Sequence, residues 1–295
     1  MNKIKYYAGW DGGGTGTTIE CINEQGDTVL RAKTGPLNPL GNPVSVVERS
    51  VKEALEHMAG FPISGLCIGG AGVTGEKSRA VLAQALGGAG FPYHIVTDFE
   101  TAFYGAFNGG PGMILIAGTG AVCYGKNAEG KPHRCGGWGN IFDDEGSGYA
   151  IGRDILKAVA RSLDGRAKPT ALTGLLFNEW KVCSMAEIIN KAYAPETGKK
   201  EIAALASLCF KTAEDYAVVE ILDKAAVSLV ELLIATQNAI GVNNTVLLGG
   251  LLQENGPLKN RLEKILKTNT DSCINICAPV ADAARGAALM AANIF

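Results

Sequence analysis

Asp11-Gly12-Gly13-Gly14-Thr15-Gly16-Thr17-Thr18 decides how this chain is read. It lies where two short β-rich runs, Tyr6 to Trp10 and Thr15 to Cys21, meet, so it joins two strands through a turn almost free of Cβ atoms. Successive backbone N–H groups in such a turn can point at a phosphate at close range. Taken alone, the same residues also describe an ordinary glycine-rich hairpin. Leu115 to Tyr124, LIAGTGAVCY, supplies a second strand, turn and strand around Gly118-Thr119-Gly120. Two such turns facing each other could grip a polyphosphate from both sides. Neither fits GxxxxGK[ST], nor GxGxxG followed by a helix, so P-loop and Rossmann sites match poorly.

Working outward, the local script repeats. Gly14-Thr15-Gly16 is matched by Gly118-Thr119-Gly120, and Asn23-Glu24-Gln25-Gly26 by Asn127-Ala128-Glu129-Gly130, both at an offset of 104 residues. Two separate elements sharing one offset point to an internal duplication. After the first meander the apolar period changes to that of a helix at Val47, Val51, Leu55 and Met58, followed by a buried strand over 63–68. A helix over 76–86 and a strand over 94–97 come next, and Asp98 is placed to cap a helix running to Phe107. Beyond the second meander the spacing predicts helices over 147–163 and 216–240, a strand over 245–248 ending at Gly249-Gly250, and a last helix with an alanine face.

Composition excludes several classes. The 295 residues carry 27 Lys and Arg against 29 Asp and Glu, a net charge of −2, so no basic face is available for a nucleic acid. Hydrophobic residues make up 47% and charged ones 19%, as in a globular chain, and no stretch reads as a membrane span. Met1 to Tyr7 holds no apolar core of signal-peptide length, so a cytoplasmic protein is expected. The eight cysteines form no CxxC pair and only three histidines accompany them, which favours reduced thiols over a zinc site. Glycine is the exception in this ordinary composition: 39 residues, far above the usual ~7%.

The order of motifs resembles the actin-like ATPase superfamily of sugar kinases, Hsp70 and actin. Asp11 to Thr18 is similar to its first phosphate hairpin and Leu115 to Tyr124 to the second. Val246 to Leu252, VLLGGLL, is similar to the adenosine motif with Gly249 and Gly250, and Ala281 to Ala291 to a connecting helix. The resemblance implies an α/β protein of two duplicated, ribonuclease H-like lobes with a nucleotide cleft between them. Residues 1–108 would form the N-terminal lobe and 109–295 the C-terminal lobe, the last helix returning to the first. ATP and Mg²⁺ follow, with Gly12, Gly13, Gly14, Thr15, Gly118, Thr119 and Gly120 on the phosphates and Asp11 holding Mg²⁺ through water.

Within that superfamily, Cys135 to Tyr149, CGGWGNIFDDEGSGY, resembles the GGWG…DEGS segment of the N-acetylglucosamine kinase branch, shared with BadF-type ATPases. That likeness puts Asn38, Thr119, Gly137, Trp138 and Asp144 on the sugar. Asp98, in VTDFETAFYGA, matches the general base, against its plainer reading as a helix cap. The expected activity is ATP-dependent phosphorylation of the 6-hydroxyl of N-acetylglucosamine. N-acetylmuramic acid or glucosamine are alternative acceptors, and a BadF-type ATPase activator of a dehydratase or reductase is the alternative from another class. The partner is a small sugar, with neither nucleic acid nor membrane, and the apolar helical region over 165–240 would suit a homodimer. The sequence departs from the family at Gly16, where a cation is frequent, and at Asp143, where glycine is usual. Cys123 and Cys135 coincide with family cysteines but read as small buried hydrophobes, and Lys199-Lys200-Glu201 as a solvated helix start.

Overall fold

The computed structural model describes residues 4–73, 75–268 and 273–295. Met1 to Lys3, the start of the stretch weighed for an export signal, lie outside these. The chain divides into two compact units, Met1–Ile114 with Ala278–Phe295, and Leu115–Cys277.

In the first unit, β1 (Tyr6–Gly12), β2 (Thr17–Asn23) and β3 (Thr28–Thr34) form the antiparallel meander expected from the turn residues. Helix α1 (Val44–Met58) then carries the chain to β4 (Ile63–Gly70), which pairs parallel to β1. Helix α2 (Glu76–Ala85) leads to β5 (Tyr93–Thr97), parallel to β4, and α3 (Asp98–Phe107) follows at once. The sheet order is β3-β2-β1-β4-β5.

β1 is the centre of this unit and is covered on both faces, which is why it reads YYAGWDG rather than alternating. On one face Ala8 and Trp10 pack with Val47, Val51 and Met58 of α1 and Leu82 of α2. On the other, Tyr7, Ile22, Cys67 and Val96 meet Ala287, Ala288 and Ala291 of the last helix, Ala283–Ile294. Its alanine face allows very close approach: a Cβ on Gly9 would fall 2.0 Å from the Ala288 nitrogen. The same helix crosses α3 backbone to backbone, Gly286 lying against Gly105.

The second unit repeats the plan. β6 (Gly112–Ala117), within which the boundary between units falls, is followed by β7 (Ala121–Lys126) and β8 (Pro132–Gly136). Thr17 and Ala121 open equivalent strands, as do Thr28 and Pro132, 104 residues apart in each case. Helices α4 (Gly148–Leu163), α5 (Leu172–Trp180), α6 (Met185–Ala192), α7 (Lys199–Ala204) and α8 (Tyr216–Ile240) stand where the first unit has only α1. Then come β9 (Asn244–Leu248), α9 (Pro257–Thr268), β10 (Asn275–Ile276) and the last helix, α10. The sheet order β10-β9-β6-β7-β8 is that of the first sheet read from its other edge, so the two units share one topology. Among the described residues no helix is long and apolar enough to cross a membrane.

Candidate active site

In the first unit the glycine turn closes through a bond from Gly13 N–H to the Gly16 carbonyl, 2.9 Å, and is tied down by Leu37 N–H on Gly13 and Ala71 N–H on Gly12. None of Gly12, Gly13, Gly14 or Gly16 has a positive φ, so glycine is needed here for space and not for conformation. At Gly12 the space is already taken, since an added Cβ would lie 2.7 Å from the Leu37 side chain. At Gly14, exposed at the tip, an added Cβ would find only the Asn38 amide nitrogen, at 3.9 Å. Asn38 is held by accepting the Leu40 and Gly41 N–H groups on Oδ1, and it also abuts Gly72. Gly12 to Thr15 and Asn38 are therefore gathered at one end of β1.

Asp11, next to last in β1, lies at the same place, paired with Thr18 on one side and Gly69 on the other. Its carboxyl is pushed up to about 6 by burial first, and then by the negative charges of Asp98 and Asp282. Among the described residues none donates a hydrogen bond to it. Asp98, the expected base, opens α3 directly after β5, so Asp11 and Asp98 lie within electrostatic reach of one another.

One expectation is corrected. Asp98 does not cap its own helix: Thr97 is the N-cap, and Glu100 accepts from both the Thr97 N–H, at 2.9 Å, and the Thr97 hydroxyl, at 2.7 Å. The carboxylate of Asp98 accepts the N–H of Phe99. Thr97 is thus the cap, and Asp98 stands one position inside the helix with its carboxylate on a first-turn N–H.

The second unit holds a parallel arrangement. Gly118 N–H closes the turn onto the Gly120 carbonyl, 2.9 Å, and the start of α4 braces it: Gly148 N–H donates to Gly118 and Tyr149 N–H to Thr119. Ser147, fully buried, caps α4 by accepting the Ala150 N–H, which is what the DEGS segment supplies. Asp144, expected on the sugar, sits beneath this turn. It is 4% exposed, has φ of 69°, and accepts the Ala121 N–H on one oxygen and Lys199 Nζ, at 2.7 Å, on the other. Lys199, read as a solvated helix start, was missed, because 55 residues separate it from Asp144 and nothing local marks the pair.

Gly249 brings the segment expected on the adenosine to the same place. It adopts φ of 98° with its Cα against the end of β6, where a Cβ would lie 2.2 Å from the Ala117 carbonyl, and Leu251 N–H donates to that carbonyl. Gly250 beside it has open space where a side chain would be. The Gly118 turn, Asp144, Gly249 and Gly250 are thus gathered at the end of β6.

The segment Gly136 to Glu145 forms a loop whose ends are wedged on α8. Gly136 and Gly146, both at positive φ, leave no room for a Cβ against Leu232 and Leu229 respectively. Arg134 donates to the Gly136 carbonyl at 3.1 Å and also to that of Gly137, and stacks 4.2 Å above the ring of Trp138. Asp143, the departure from the usual glycine, accepts the Trp138 N–H at 2.8 Å and so closes the loop. Trp138 remains 59% exposed, with Gly137 half-buried beside it. All eight cysteines are free thiols, and burial pushes Cys123 up to about 12, which fits its reading as an inert core residue.

Comparison with known proteins gives consistent relatives. The chain is 31% identical to an N-acetylmuramic acid/N-acetylglucosamine kinase of Clostridium acetobutylicum, over 98% of both chains. It is 30% identical to an N-acetyl-D-glucosamine kinase of Dictyostelium discoideum, over 99% of both. A crystal structure from Chromobacterium violaceum, described as a candidate N-acetylglucosamine kinase, superposes with a TM-score of 0.82 at 26% identity, covering 97% of this chain and 99% of the other. The duplicated α/β units are those of the actin-like ATPases. Residues 8–291 match the sequence profile of the BadF/BadG/BcrA/BcrD ATPase family, and the chain belongs to that family.

Proposed function

We propose that this protein is an ATP-dependent kinase that phosphorylates the 6-hydroxyl of N-acetylglucosamine. The observation that carries this reading is the pair of carboxylates, Asp11 and Asp98, held within electrostatic reach beside a glycine turn with open space at Gly14. The full-length likeness to two kinases named for N-acetylated amino sugars supports the choice of acceptor.

Asp98 takes the proton of the sugar hydroxyl as its oxygen attacks the γ-phosphorus; the bond to the β,γ-bridging oxygen breaks and ADP leaves. N–H groups of the Gly12–Thr15 and Gly118–Gly120 turns other than those of Gly13 and Gly118, which close the turns themselves, hold the phosphate oxygens, and Gly249 and Gly250 bring backbone to the adenosine. Asn38, Thr119, Gly137 and Trp138 orient the sugar, while Asp144 shapes its side from beneath the second turn. Asp11 fits Mg²⁺ bound through water, because its carboxyl, pushed up first by burial and then by the negative charges of Asp98 and Asp282, stands where positive charge is lacking. When bound there, Mg²⁺ supplies positive charge to the β- and γ-phosphate oxygens.

An ADP-release screen over hexoses and amino sugars tests the reading. N-acetylglucosamine should stimulate release most. Stimulation only by N-acetylmuramic acid or glucosamine would change the acceptor, and a brown, iron-containing protein indifferent to sugars would overturn the kinase reading itself.

A further inference from the structure

Asp144 places a buried negative charge directly under Gly120, whose added Cβ would lie 3.0 Å from a carboxylate oxygen. Resting on the reading of this turn as a phosphate site, such a charge would repel the ligand. Lys199 is the group that answers this charge. Its Nζ is 2.7 Å from the Asp144 oxygen that does not serve the turn, and its side chain is 37% exposed against 4% for Asp144. The position of the lysine is built into the fold: α7 lies so close on α4 that a Cβ on Gly152 would fall 1.9 Å from the Ile202 carbonyl, and one on Gly148 3.2 Å from that of Ala203.

We infer that Lys199 is a positioning residue for nucleotide binding: it cancels the charge of Asp144 beneath the second phosphate turn and so lets that turn accept an anion. Asp144 in turn spends its other oxygen on the Ala121 N–H, fixing the strand that leaves the turn. The lysine does not touch substrate; it acts through Asp144.

The test is calorimetric titration of the sugar-free protein with a non-hydrolysable ATP analogue, because Asp144 also stands on the proposed sugar side. Lys199→Met should weaken nucleotide binding about tenfold or more, and Lys199→Arg should restore most of it. The double variant Lys199→Met with Asp144→Asn should bind nucleotide better than Lys199→Met alone, since the uncompensated charge is gone, and Asn tolerates the left-handed backbone of this position. A tether that only holds structure predicts the reverse, a double variant as weak as the single one or weaker, and that result overturns the inference. Unchanged binding in Lys199→Met overturns it as well. A wild-type protein that binds no nucleotide overturns the kinase reading and this inference together.

Discussion

Asp11→Asn should make the sugar-free, metal-free protein more stable at neutral pH while abolishing its Mg²⁺ response. In the folded chain the Asp11 carboxyl is pushed from 3.8 up to about 6, chiefly by burial and then by Asp98 and Asp282. Between those two values the unfolded chain has lost its proton while the folded chain keeps it, so stability falls as pH rises through this window and stays low above it. The shift of about two units corresponds to at most about 3 kcal/mol, at ~1.4 kcal/mol per unit. Asparagine removes the charge without removing a hydrogen bond, because among the described residues none reaches this carboxylate. The gain should appear as a rise in melting temperature on the order of 5–10 °C at pH 7.5, shrinking to nothing below about pH 4. Thermal melts of both proteins from pH 4 to 8, with and without Mg²⁺, measure it. Metal should raise the melting temperature of the wild type and leave the variant unmoved. A variant no more stable than wild type at pH 7.5, or equally stabilised at pH 4, would refute the account of Asp11.

Asp98→Asn should lower phosphoryl transfer by about 10²- to 10⁴-fold while nucleotide still binds, as separate turnover and titration experiments would report. Gly14→Ala should fold normally and bind ATP weakly, since its new methyl group meets only Asn38 in the protein but fills the space given to phosphate. Gly9→Ala should instead lose about 3 kcal/mol or more of stability in urea melts, because its Cβ would displace the backbone of α10. Trp138→Ala should raise the KM for sugar and leave the KM for ATP within about twofold, an aromatic wall contributing to one substrate only.

Much of this was written in the chain's periods and turns. Repeated turns at one offset exposed the duplication before any strand was paired, and the identical strand order of the two sheets is its structural form. The last helix was legible through Ala284, Ala287, Ala288 and Ala291, whose lack of bulk makes sense only where backbone must approach backbone. Local signals were weaker where two residues compete for one task. Asp98 and Thr97 both suit an N-cap, and only the fold, by turning Glu100 back onto Thr97, decides between them. Long-range pairs left no mark at all. Lys199 looks like any lysine opening a helix, and its partner is chosen by the packing of α7 on α4. The glycines of the first turn taught a similar lesson: their number is visible in sequence, but whether each serves space or conformation depends on Leu37 and Asn38, which arrive from beyond β3.

The most direct measurement is the chemical identity of the product. Purified protein incubated with Mg-ATP and N-acetylglucosamine should yield ADP and an equal amount of sugar phosphate, with phosphorus NMR showing the ester on the 6-oxygen. ADP appearing with free inorganic phosphate and no phosphorylated sugar would contradict the account.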